Sequence, residues 1–366
     1  MMPASANEQP ATVPSVMRRS STETLLVVAR EHGLALAVVG TQLAVGAAAG
    51  MLGTKSQETR GILTSGYVWS LLKIALAWLP VLCGLVAWRA WRLGPANWAG
   101  IWRLFATQYL TAKAALGALV GVLLIAHSAA VHDMWKSTLG ILAPYTWDAR
   151  LYRIDRALHF GHDPWQLLSP LSGPTAVRVI DVLYASWYPM VSVVSCWIVW
   201  THHRKLRSRA LVAWMLQWAV LGAMAAHFFA SGGPAFYRYL VPGPDPYADL
   251  IVRLQSADAH TPLHAVFMQQ SIWDNVARGA GRPWLFMSAM PSIHVAMSAL
   301  FALILGQVNR QLKIGMWLYT VAILMGSVAL GWHYAVDGYV AIAGIAMIWW
   351  LSGILTHSGG RKTGCG

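Results

Sequence analysis

Eight apolar runs set the terms for everything else in this chain. They fall at residues 34–51, 69–88, 110–131, 182–200, 211–230, 290–306, 314–330 and 336–355. Each is close to the length an α-helix needs to cross about 30 Å of bilayer hydrocarbon. In that solvent a chain must satisfy its backbone polar groups internally, so the expected fold is all-α, a polytopic transmembrane bundle of about eight spans. Composition agrees: 57% of the 366 residues are hydrophobic and 11% are charged, where a soluble domain carries about a quarter charged. Many of the 20 Trp sit at the ends of the runs, among them Trp88, Trp91, Trp197, Trp200, Trp349 and Trp350, as an interfacial aromatic belt does. No internal repeat is evident.

The formal charge of +13 does not imply nucleic acid as a partner, because the basic residues cluster between apolar runs instead of along one soluble face. They read as topology signals and contacts to anionic headgroups. Arg204, Lys205, Arg207 and Arg209 join the fourth and fifth runs, Arg89, Arg92 and Arg103 flank the link between the second and third, and Arg310 and Lys313 join the sixth and seventh. With eight spans these loops share one side with both termini, which the positive-inside rule makes cytoplasmic. The organisation expected is a flexible tail at residues 1–30, three N-terminal spans within 31–131, a site-bearing domain at 132–357 built on the last five or six spans, and a tail at 358–366. Cys83, Cys196 and Cys365 are isolated and give no metal or disulfide pattern.

Two stretches carry chemistry. In Gly331-Trp-His-Tyr-Ala-Val-Asp337 an imidazole and a carboxylate stand four residues apart. On a helix that spacing would stack them on one face, where Asp337 can hold one ring nitrogen of His333 and leave the other a better base or nucleophile. The bland alternative is a buried pair that steadies a helix turn. In Met290-Pro-Ser-Ile-His294, Pro291 suits the first turn of a helix, Ser292 and the free amides can hold an anion, and His294 stands ready to protonate a leaving oxygen. Here too an ordinary helix start is the plain alternative. A helical hairpin between the two stretches would return both histidines to one face, which the topology makes extracytoplasmic.

The order Pro-Ser-Ile-His, hairpin, His-x-x-x-Asp resembles the last two motifs of the type 2 phosphatidic acid phosphatase superfamily, over roughly residues 148–355. It is most similar to the branch of the inositol phosphorylceramide synthases. The resemblance implies that His333 takes the phosphoryl group, that Asp337 orients it and that His294 serves as acid and then base, with no cofactor and no metal. It also implies a phospholipid, sphingolipid or isoprenoid phosphate as substrate. The pattern departs from the phosphatases where Ser327 replaces an Arg six residues before the nucleophile. In the place of the first motif stands Ser231-Gly-Gly-Pro-Ala-Phe-Tyr-Arg238, whose Tyr237 and Arg238 can contact phosphate oxygens. Arg282 is a weaker phosphate ligand. The charged segment from Asp148 to Trp165 reads as an amphipathic interfacial piece with solvated charges.

The functional expectation is a membrane-embedded lipid phosphate phosphatase or headgroup phosphotransferase working through a phosphohistidine. The alternative is a non-catalytic transporter or scaffold, which would place its polar groups at interrupted helices near mid-membrane.

Overall fold

The computed structural model describes residues 21–48, 70–81, 111–136, 138–140, 142–278 and 287–358, with isolated positions between 68 and 91. The helices used below are α1 (Ser21–Ala48), α2 (Ala112–Lys136), α3 (Asp148–Leu158), α4 (Pro174–Ala185), α5 (Trp187–Trp200), α6 (Arg204–Leu216), α7 (Ala248–His260), α8 (His264–Arg278), α9 (Ile293–Leu305), α10 (Arg310–Ala329) and α11 (Ala335–Ser358).

The chain is a polytopic helical bundle. Among the described residues five helices are long and apolar enough to cross a membrane: Lys113–Lys136, Pro174–Trp200, Arg204–Phe228, Arg310–Ala329 and Ala335–His357. A pair bent by 59°, Glu23–Ala29 with Glu31–Val45, gives a sixth if taken as one span. At the places of the second and sixth expected spans stand two shorter apolar helices, Ser70–Val81 and Ile293–Leu305. Helix α1 begins at Ser21, inside the segment expected to be a tail. The fifth span passes without interruption from α6 into a π-helical stretch, Gln217–Ala225.

The shortness of α9 shapes the molecule. Thirteen residues at 1.5 Å each reach about 20 Å, well under the bilayer core. The helix lies at the centre of the bundle against α5, α6, α10 and α11, with nine residues from Val295 to Ile304 buried. The loop that leads into it is buried by protein, with Ala289, Met290 and Ser292 shielded from solvent. Non-helical backbone at such depth persists only where protein groups satisfy it.

Helix α3 supplies part of that satisfaction. Asp148, Leu151 and Asp155 share one face at i, i+3 and i+7 and are buried, whereas Arg150, Arg153 and Arg156 face outward. The expectation of solvated charges throughout this segment is thus corrected: its acids, including Asp163, point inward. Asp155 accepts hydrogen bonds from the Ala335 and Val336 amides, both at 2.9 Å, and so caps the N-terminus of α11. Asp181, on α4, does the same for α8 through His264 N (2.8 Å) and Ala265 N (2.9 Å).

Replacing Asp155 by Ala leaves two buried amides without acceptors, each worth about 1–3 kcal/mol. We expect Asp155→Ala to lower unfolding stability in detergent by about 2–4 kcal/mol, while Arg153→Ala stays within about 0.5 kcal/mol of the native chain. Equal unfolding midpoints for the native chain and Asp155→Ala would contradict this role.

Candidate functional site

Three loops converge at the N-terminal end of α9. The first follows the fifth span (Ser231–Gly233), the second leads into α9 (Ser288–Ser292) and the third joins α10 to α11 (Gly331–Tyr334). Backbone bonds lace them together: Ala289 N to Ser231 O at 2.8 Å, Ala235 N to Gly331 O at 2.9 Å, and Ser292 N to Asp337 O at 3.2 Å. The buried Ser231 hydroxyl accepts from Met290 N at 3.2 Å. From outside, Asp148 accepts from Gly232 N (3.0 Å) and Gly233 N (2.9 Å) and from the Tyr334 hydroxyl (2.8 Å). Burial pushes the Asp148 carboxyl above the ordinary range, and these three donors oppose that shift. Tyr334 is pushed far above its usual value by burial and by the carboxylate beside it, so it remains a donor.

Gly233 adopts φ 85°, and a Cβ there would lie 2.4 Å from the Trp332 carbonyl oxygen. Only glycine permits this approach without strain. The contact seats the first loop on the backbone next to His333.

His333 is buried and precedes α11 instead of lying on it. Its amide donates to Ser327 O at 3.2 Å. The ring Nδ1 is 2.7 Å from Ala289 O and 3.4 Å from Asp337 Oδ2. The shorter contact is to a carbonyl, which can only accept, so Nδ1 carries the proton and Nε2 keeps its lone pair. The expected stacking of His333 and Asp337 along a helix face is therefore corrected: a cap geometry joins them, and the backbone carbonyl is the nearer partner. Asp337 is fully buried. Its Oδ2 accepts from Tyr334 N at 2.9 Å, and among the described residues Oδ1 has no hydrogen-bond partner.

His294, in the first turn of α9, stands with its ring centroid 6.3 Å from that of His333. Its other walls are aromatic: Tyr184 stacks on it at 4.9 Å and Trp187 tilts against it at 4.2 Å. Helix α9 starts at Ile293 with Ser292 as N-cap, the hydroxyl accepting from Val295 N at 3.5 Å. Pro291 therefore lies before the cap and not in the first turn, and the Met290–Pro291 peptide is cis.

Of the expected phosphate ligands, Ser292 stands beside the histidines. Tyr237 is buried in a tyrosine cluster, 5.8 Å from Tyr152 and 5.5 Å from Tyr247 between ring centroids. Arg238 is exposed, its guanidinium 4.7 Å over the Tyr239 ring. Arg282 lies outside the described residues. Sequence reasoning missed the holding roles of Asp148, Tyr334 and Ser231. Only the aspartates had a signal, in the shared stripe of Asp148, Leu151 and Asp155.

A family model described as the PAP2 superfamily matches residues 149–353. No curated protein and no solved structure matches the chain.

Gly233→Ala should pry the first loop from Trp332. We expect faster amide hydrogen exchange across residues 331–337 and a lower thermal midpoint in this variant; native-like exchange there would show that the close approach is dispensable.

Proposed function

This chain belongs to the PAP2 superfamily, a phosphatase-type membrane enzyme family, and from that premise we propose that it cleaves or transfers a phosphate ester of a membrane lipid through a covalent intermediate on His333. The observation that carries the reading is the commitment of His333 Nδ1 to Ala289 O and Asp337, which leaves the lone pair of Nε2 for phosphorus.

In the first step the Nε2 lone pair attacks phosphorus and the bond from phosphorus to the leaving oxygen breaks. Protonated His294 gives that oxygen its proton. In the second step neutral His294 takes a proton from water or from an acceptor hydroxyl, whose oxygen attacks phosphorus as the P–N bond breaks. Asp337 stabilises the positive charge that His333 gains between the steps. Ring centroids 6.3 Å apart allow both histidines to reach one phosphate group. Hydrolysis and headgroup transfer differ only in the attacking oxygen.

Ser292 and the α9 amides contribute to holding the phosphate. Arg238, exposed over the Tyr239 ring, and Arg282 are the further candidates for the same anion, from the flanking segments. Ser327 replaces an arginine of the phosphatases, and its hydroxyl is engaged by its own helix, donating to Leu324 O at 2.7 Å. That substitution favours the synthase-like branch, with a hydroxyl-bearing acceptor. The basic loops support a site on the extracytoplasmic face with both termini in the cytoplasm. Family membership weighs against the transporter or scaffold alternative.

We expect His333→Ala to abolish turnover with every leaving group. Asp337→Asn should lose most of kcat with KM nearly unchanged. His294→Ala should lose about 10²–10⁴-fold on alkyl phosphate esters and recover much of that on p-nitrophenyl esters, whose leaving oxygen needs no proton. Rescue of His333→Ala but not of His294→Ala would exchange the two roles.

A further inference from the structure

The end of the bundle opposite the histidines holds a basic cavity of about 860 Å³. It lies where α9 and α11 finish. Gln307 and Val308, just past α9, and Thr356 and His357, in the last turn of α11, form part of its wall. The remaining wall comes from Glu31 on α1, from His202 and His203 in the turn before α6, and from the first two turns of α6.

The lining charge is one-sided. Arg204, Lys205, Arg209, His202, His203 and His357 face a single carboxylate, Glu31. Glu31 is already engaged: Arg207 Nη2 lies 2.7 Å away, Arg204 Nη1 3.5 Å and Lys113 Nζ 3.6 Å. Its one negative charge cannot balance these three cations, and Lys205 and Arg209 add two more. Arg209 is fixed in place, its guanidinium 3.8 Å over the Trp349 ring and Nη2 donating to Trp349 O at 2.7 Å. Among the described residues its buried Nε has no hydrogen-bond partner. Helix α6 opens at the same wall with His203 as N-cap and no side-chain cap, so its first amides add partial positive charge.

We infer that this cavity binds a phosphate-bearing ligand. The volume exceeds what an inorganic ion fills and falls in the range of small-molecule sites, and guanidinium with ammonium groups is the set that phosphate oxygens select. A phosphodiester headgroup from the adjoining leaflet and a soluble phosphate share that chemistry. Because the walls include the far ends of the two helices that bear or follow His294 and His333, occupancy braces the same elements that carry the catalytic end.

The test uses the full chain in phosphatidylcholine nanodiscs, titrated with radiolabelled inorganic phosphate and, separately, with dioctanoyl phosphatidylglycerol. Two variants interrogate the cavity: Arg204→Ala with Lys205→Ala removes charge, and Val308→Trp fills space without touching charge. Arg150→Ala with Arg153→Ala, at the opposite end, is the control. We expect the native chain and the control to bind one more molecule of probe per chain than either cavity variant, or to bind it at least ten-fold more tightly. A difference seen only with phosphatidylglycerol identifies a headgroup, one seen with inorganic phosphate alone identifies a soluble anion, and one seen with both shows that the phosphate group suffices. Unchanged stoichiometry and affinity in both cavity variants, for both probes, would overturn the inference.

Discussion

Asp148, Asp155 and Asp181 each accept two backbone N–H groups from a segment far away in sequence, and the site depends on the first two. A bilayer offers no water to satisfy loose amides, yet the site is made of three loops around the end of a helix too short to span. Asp148 satisfies the loop after the fifth span and holds Tyr334. Asp155 starts α11 and thereby sets where Asp337 stands. Removing either carboxylate would leave several donors unsatisfied at once, so these acids set the position of the chemistry without touching it.

The second dependency is the tautomer of His333. A carbonyl at 2.7 Å and a carboxylate at 3.4 Å both compete for the proton on Nδ1, and no tautomer other than Nδ1–H satisfies either. The ring is therefore poised before any substrate arrives. Among the described residues the His294 ring is positioned by contact with Tyr184 and Trp187, which suits the acid and base role proposed for it. Different restraints on two imidazoles 6.3 Å apart are the physical basis for giving them different roles.

The helical bundle was legible because hydrophobic run length is a direct consequence of bilayer thickness. Six of the eight expected spans have long helical counterparts, the bent α1 pair included. The shortness of α9 was not legible, since run length does not reveal where an apolar stretch leaves the helix, and Met290 and Pro291 are as apolar as the turn that follows. The grouping of Ser292, His294, His333 and Asp337 followed from motif order and a hairpin. The partner of Nδ1 could not, because Ala289 O is a backbone atom placed by Ser231 from another loop. The inward turn of Asp148 and Asp155 was present as a stripe shared with Leu151 but was outweighed by the arginines on the opposite face.

The central claim is that one nitrogen of one histidine carries the phosphoryl group. Acid-sensitive phosphohistidine can be trapped by alkaline quench during turnover of a phosphate-labelled lipid and mapped by tandem mass spectrometry, with NMR of the labelled ring to distinguish its nitrogens. Label is expected on Nε2 of His333 and absent from His294. Label on His294, label on Nδ1 of His333, or turnover with no trapped phosphohistidine at any chain-saturating substrate concentration would contradict it.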